Sequence, residues 1–138
     1  MVSGKPATRY DAEWGFRYAD IPPLPETRAE LTAVAQALGA DPATDLVLGA
    51  RATRQAVLTM PMADRRVVAF ATHGLMPGDQ PGISKPALAM AATGENGESP
   101  LLELDDVLTL RLNAHWVLLS ACNTAAAGGA AQEAYAGV

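Results

Sequence analysis

The sequence predicts an α/β fold built around a mainly parallel sheet. Two continuous apolar runs of strand length, at residues 67–72 and 116–121, are the first observation. The second is an amphipathic pattern at residues 26–38, and the third is the alternation of helical and extended patterns along the chain. Because continuous apolar runs are typical of strands covered on both faces, we expect parallel strands with helices packed over them.

The first regular element is predicted as a helix at residues 26–38. A single apolar stripe with i, i+3, i+4, i+7 spacing is formed by Leu31, Val34, Ala35 and Leu38. Gly39 follows as a predicted C-terminal stop. Residues 1–21 show no steady period, so we expect an irregular lead-in there and the folded domain in residues 22–138.

The next segment predicts a short strand and a second helix. Residues 45–48 form a short apolar run that ends at Gly49, which indicates a buried strand. Thr53 has the side chain of a helix N-cap, so we expect a helix from there through Met60. The first long apolar strand, at residues 67–72, comes after the charged turn that closes this helix.

An excursion separates the two long strands. Apolar residues at 86–91 and 101–102 flank the turn-forming residues 94–97, which predicts a hairpin. Residues 104–110 fit a short helix, and residues 116–121 repeat the buried-strand pattern. This last strand leads directly to Cys122.

A reactive side chain follows each of the two long strands. His73 comes after residues 67–72, and Cys122 comes after residues 116–121, 49 positions further along. Because sites in parallel α/β sheets form outside the carboxyl ends of the strands, neighbouring strands would bring the two side chains together. The sequence therefore predicts a His–Cys pair at one edge of the sheet.

The pair has the composition of a nucleophilic site. A free cysteine thiol has a pKa of about 8.5, and a neighbouring imidazole can take its proton or stabilise the thiolate. Attack on a carbonyl creates an oxyanion, which backbone N–H groups stabilise. Gly74 has no side chain to obstruct its N–H, and the N–H of Cys122 is the natural second donor.

These residues resemble the caspase-like cysteine peptidases, and among them the bacterial CHAT domains that are often joined to tetratricopeptide repeats. The resemblance rests on an apolar strand ending in Thr72-His73-Gly74 and a second one ending in Ser120-Ala121-Cys122-Asn123-Thr124. Residues 24–31 also look like the helix entry of CHAT domains. The resemblance implies a caspase-like three-layer sandwich, a His73–Cys122 catalytic dyad, and an oxyanion hole formed by the amides of Gly74 and Cys122.

The same resemblance implies a protein or peptide substrate, and a tetratricopeptide-repeat region outside this chain as a partner. Caspase-like sheets contain further strands after the one that carries the cysteine, and here only 16 residues follow Cys122. We therefore expect the sheet to be incomplete in this segment. We predict a cysteine endopeptidase; the alternative is a catalytically silent module for signalling or scaffolding through protein binding, and a third option is an acyltransfer or amidase enzyme.

Composition argues against other classes of function. A net charge of -5 with ten scattered Lys and Arg residues offers no basic surface for nucleic acid. No apolar stretch approaches the roughly 20 residues of a membrane span, and no secretion signal is recognisable, so we expect a cytoplasmic protein without membrane contact. We expect no metal or other cofactor, because His115 lies at the far end of its strand and too few ligands remain.

Overall fold

The structure, a computed structural model, describes Tyr18, Ile21, Pro22 and residues 24–92 and 98–120. The helices are α1 (Glu26–Ala37), α2 (Pro42–Asp45), α3 (Arg54–Thr59) and α4 (Leu104–Thr109), with a 3-10 turn at Gly49–Arg51. The strands are β1 (Val67–Ala71), β2 (Gly74–Leu75), β3 (Ala87–Ala89), β4 (Leu101–Glu103) and β5 (Trp116–Ser120). In this part of the chain, no helix has the length and apolar character needed to cross a membrane.

The two long strands pair in parallel, as predicted. The register runs from Val67 opposite Trp116 to Ala71 opposite Ser120, with a constant offset of 49 positions. One further bond, from the N–H of Thr72 to the carbonyl of Ser120 at 3.2 Å, carries the pairing past the end of β1. The parallel sheet and the helix α1 that contacts β1 confirm the α/β class.

The burial predicted for the second long strand is wrong in the described structure. All five residues of β5 are exposed, including Trp116 at 67% and Leu119 at 63%. β1 pairs along one edge of β5 and is its main contact among the described elements. Edge pairing satisfies backbone groups on that side but leaves both apolar faces of a strand uncovered, so apolar composition alone did not ensure burial here.

The excursion between the long strands forms a small antiparallel sheet in the order β2-β3-β4. The predicted hairpin is present as the pairing of β3 with β4, and its turn, residues 93–97, lies outside the described residues. The sheet contributes most of a cluster of buried apolar side chains: Leu75, Ile83, Ala87, Ala89 and Leu101. Tyr18 and Ile21 pack against this cluster.

The first helix and its termination agree with the sequence pattern. α1 ends in a Schellman motif, in which the N–H of Ala40 donates to the carbonyl of Ala35 at 2.8 Å and that of Gly39 donates to Gln36 at 3.2 Å. Gly39 has φ of 69°, a left-handed conformation that glycine adopts without a steric penalty. The stop at Gly39 is therefore confirmed.

The strand predicted at residues 45–48 is wrong. Asp41 instead caps α2, with its carboxylate accepting a 2.9 Å hydrogen bond from the N–H of Ala43, and Pro42 occupies the first helical turn. Leu46 and Leu48 do have extended backbone angles, but residues 46–48 pair with no strand in the described structure. An apolar run of this length needs a neighbouring strand as well as β-compatible residues.

The short helices are fixed by side chains at their N-termini. Thr53 caps α3 as predicted, accepting a 3.0 Å bond from the N–H of Ala56. Glu103 and Asp106 form a capping box at the start of α4. Asp106 also accepts two hydrogen bonds from Arg54, at 2.9 and 2.5 Å, so α3 and α4 are joined by an ion pair.

Candidate functional site

His73 follows the end of β1 after one residue, Thr72, and is buried, with 4% of its surface exposed. Its backbone is fixed by β3, because the N–H of Ala89 donates to the His73 carbonyl at 2.9 Å. The hydroxyl of Thr72 donates to the carbonyl of the same Ala89. Both peptide groups of Ala89 thus hold the main chain at the point where β1 ends, which places the imidazole beside the carboxyl edge of the parallel sheet.

The His73 imidazole is oriented by a main-chain carbonyl. Its Nε2 lies 2.7 Å from the carbonyl oxygen of Pro22. A carbonyl oxygen only accepts hydrogen bonds, so Nε2 must carry the hydrogen, and in the neutral ring Nδ1 is then the nitrogen with the lone pair. No third, orienting group was predictable from the sequence, because a backbone carbonyl leaves no signal in the residue type.

A half-buried tyrosine holds the segment around Pro22. The hydroxyl of Tyr18 donates to the carbonyl of Met90 at 2.6 Å, and the N–H of Ile21 donates to the Tyr18 carbonyl at 3.2 Å. Burial raises the pKa of the Tyr18 phenol far above its ordinary value, so the hydroxyl stays protonated and acts as a donor. Met90 follows Ala89, so one short stretch of chain contacts both Tyr18 and the His73 backbone.

Gly74 begins β2 with its N–H pointing away from β3. Gly74 lies opposite Leu88 in the antiparallel register. The bond from Ala89 N–H to the His73 carbonyl shows that this is a non-hydrogen-bonded pair, in which both backbone groups of Gly74 point outward from the pairing. The amide predicted for the oxyanion hole therefore points away from the ladder.

The family model for the CHAT domain matches residues 1–138, the whole chain. The chain belongs to the CHAT domain family. CHAT domains are a caspase-like family and are often found with tetratricopeptide-repeat regions, so the resemblance drawn from the two strand-end motifs is confirmed. No curated protein and no solved structure matches the chain.

Of the predicted dyad of this CHAT domain, the structure describes one member. His73 lies at the carboxyl end of β1, whereas Cys122 lies outside the described residues, as does its amide. His115 is exposed and immediately precedes β5, with its N–H donating to the carbonyl of Arg66 at 2.8 Å. Since β1 and β5 are parallel, His115 lies at the opposite edge of the sheet from His73.

A large cleft among the described CHAT domain residues reaches the neighbours of His73, among them Thr72. It has a volume of about 1140 Å³ and runs between α1 and β1, where Leu31, Val34 and Phe70 are among its lining residues. His73 does not line it. The described residues also contain no group of three His, Cys, Asp or Glu side chains close enough to hold a metal ion.

Proposed function

We propose that this CHAT domain is a cysteine endopeptidase that cleaves protein or peptide substrates with His73 and Cys122. The observation that supports this most is the parallel register of β1 and β5. Its offset of 49 positions equals the separation of His73 and Cys122 in the sequence. Continued for two residues beyond Ala71 and Ser120, the same register would set the imidazole and the thiol side by side, on strands about 4.8 Å apart.

The imidazole has a defined role in this proposal. With its hydrogen on Nε2 and bonded to the Pro22 carbonyl, His73 can accept the thiol proton at Nδ1. The thiolate then attacks the substrate carbonyl, and the C–N bond breaks as His73 returns the proton to the leaving amine. Water, activated by the same imidazole, hydrolyses the resulting thioester and regenerates the thiol.

The negative charge on the attacked oxygen requires hydrogen-bond donors. The outward N–H of Gly74 is one donor that we propose, and the N–H of Cys122 is the other. Because Gly74 has no side chain, a substrate carbonyl can approach its amide closely. Replacement of one such donor in other hydrolases lowers turnover by about 10²–10³-fold, so two amides would supply a large part of the rate enhancement.

The experiment is labelling and cleavage with full-length protein and a panel of thiol-reactive peptide probes. Cys122→Ala should abolish labelling, and His73→Ala should lower the labelling rate by about 10²–10⁴-fold, the usual contribution of a general base. His115→Ala is the matched control, because it removes the other histidine at the opposite sheet edge and should label at the wild-type rate.

Two results would contradict the proposal. Labelling or cleavage that persists at the wild-type level in Cys122→Ala would place the reactive group elsewhere. A folded protein that labels with no probe, yet still captures its partner proteins when Cys122 is replaced, would indicate the silent binding module instead. A tetratricopeptide-repeat region outside this chain is the partner that we propose for either form.

A further inference from the structure

The contacts around His73 form a closed ring that begins and ends at this residue. The imidazole bonds to the Pro22 carbonyl, and Ile21 bonds back to Tyr18. The Tyr18 hydroxyl bonds to the carbonyl of Met90. Ala89, the residue before Met90, bonds through its N–H to the His73 carbonyl. Three segments that are distant in the sequence thus meet around one side chain.

We propose that Tyr18 is a positioning residue for the site: its hydroxyl holds the Pro22 carbonyl against the His73 imidazole and so selects the Nε2–H form of the ring. This inference rests on the proposed function, in which the Nε2–H form of His73 accepts the thiol proton at Nδ1. Tyr18, Ile21 and Pro22 together form the anchor segment of this site.

The described contacts explain why the hydroxyl would matter. The 2.7 Å bond at His73 is made by a backbone carbonyl, which is positioned only as well as its own segment is held. Pro22 is exposed, whereas Met90 is buried at 9%. The 2.6 Å bond from the half-buried Tyr18 to Met90 therefore ties the segment that carries Pro22 to a buried residue, across 72 positions of sequence.

The aromatic ring of Tyr18 and the hydroxyl of Tyr18 have separable roles. The aromatic ring packs against the cluster that includes Leu75 and Ala89, which contributes to folding. The hydroxyl contributes the bond to Met90. Tyr18→Phe keeps the ring and removes only the hydroxyl, so it tests the positioning role without removing the packing.

The experiment measures the tautomer of His73 by two-bond ¹H–¹⁵N correlation spectra of the full-length, histidine-labelled protein at a pH where the ring is neutral. Wild type should show the Nε2–H form. In Tyr18→Phe, the ratio of Nε2–H to Nδ1–H should fall by about three- to tenfold, the range that one net hydrogen bond supplies. Signals of His115 in the same spectra should not change.

Thr59→Val is the matched control, because it removes a hydroxyl that donates to a backbone carbonyl, that of Gln55 at 2.9 Å, on α3. It should leave the His73 tautomer as in wild type. Unchanged His73 signals in a folded Tyr18→Phe protein would overturn the inference, as would an equal shift in Thr59→Val.

A second measurement tests the same link from the other side. In His73→Ala the Pro22 carbonyl loses its donor, so the Ile21 amide should exchange with solvent several-fold faster than in wild type. An unchanged exchange rate would overturn the inference even if Tyr18→Phe fails to fold. Neither readout needs turnover, so a protein that cleaves nothing contradicts the proposed function and leaves the positioning role of Tyr18 to be decided by these spectra.

Discussion

Replacement of Leu102 by alanine should be among the most destabilising single changes in the small antiparallel sheet. Leu102 lies on β4 opposite Leu88 of β3 and has 0% of its surface exposed. Alanine lacks three of its carbon atoms. At about 0.8 kcal/mol for each buried methylene-sized group, their lost burial costs about 2.4 kcal/mol. The cavity left behind adds to this, and the total expected loss in the free energy of unfolding is about 3–4 kcal/mol.

Leu108→Ala is a matched control six positions away. Leu108 lies on α4 and is 75% exposed, so the same three carbon atoms are removed from solvent rather than from a packed core. Alanine is also a slightly better helix former than leucine. The free energy of unfolding should therefore change by no more than about 0.5 kcal/mol.

Equilibrium urea denaturation measures both variants. The midpoint should fall strongly for Leu102→Ala and stay close to wild type for Leu108→Ala, with similar slopes for all three proteins. If Leu102→Ala cost less than about 1 kcal/mol, or no more than Leu108→Ala, the assignment of β4 to a buried position in the small sheet would be wrong.

Three further predictions concern helix ends and the ion pair between α3 and α4. Hydrogen bonds from Arg54 lower the pKa of Asp106 below its ordinary value. The Asp106 carboxylate therefore stabilises the fold at a pH above the pKa that it has in the unfolded chain, and this stabilisation is lost as the pH falls through its pKa in the folded protein. Asp106→Asn should cost about 1–2 kcal/mol at neutral pH and flatten the acid dependence in urea denaturation; an unchanged acid dependence would refute it. Gly39→Ala should cost about 1 kcal/mol through its φ of 69° alone, because a Cβ there meets nothing within 4 Å; an unchanged melting temperature would contradict this. Thr53→Ala should cost about 1 kcal/mol by removing the α3 cap, and equal stability to wild type would speak against that cap.

The parts of the fold that were predictable carry their signal in side chains. The apolar stripe of α1 and the glycine after it define the helix and its end. Apolar runs define β1 and β5, and the continuous apolar character of these runs, which alternate with helices, indicated the parallel pairing that the register confirms. The placement of His73 at the carboxyl end of β1 followed from the same reasoning, because His73 comes after the first apolar run in the sequence.

The parts that were missed depend on neighbours rather than on residue type. β2 is only two residues long and exists because Gly74 and Leu75 lie beside β3. Residues 46–48 have extended-strand composition but no pairing strand among the described residues, and β5 is apolar yet exposed because its main described contact is along one edge. Periodicity describes what a segment could bury and carries no record of what packs against it.

The same distinction applies to the site. A search of the sequence for candidate catalytic side chains points to His73 and Cys122, because their residue types are informative. The groups that orient the imidazole in the structure are backbone groups, namely the Pro22 carbonyl and the peptide groups of Ala89. Backbone groups of this kind occur all along the chain, so the residue type does not reveal which of them face His73. The tautomer of His73 therefore depends on three-dimensional placement of backbone atoms. Under our proposals, a sequence that retains the His and Cys motifs keeps a competent imidazole only if the anchor segment is held in place. For this reason, loss of the Tyr18 hydroxyl is expected to alter the site although it lies in neither motif.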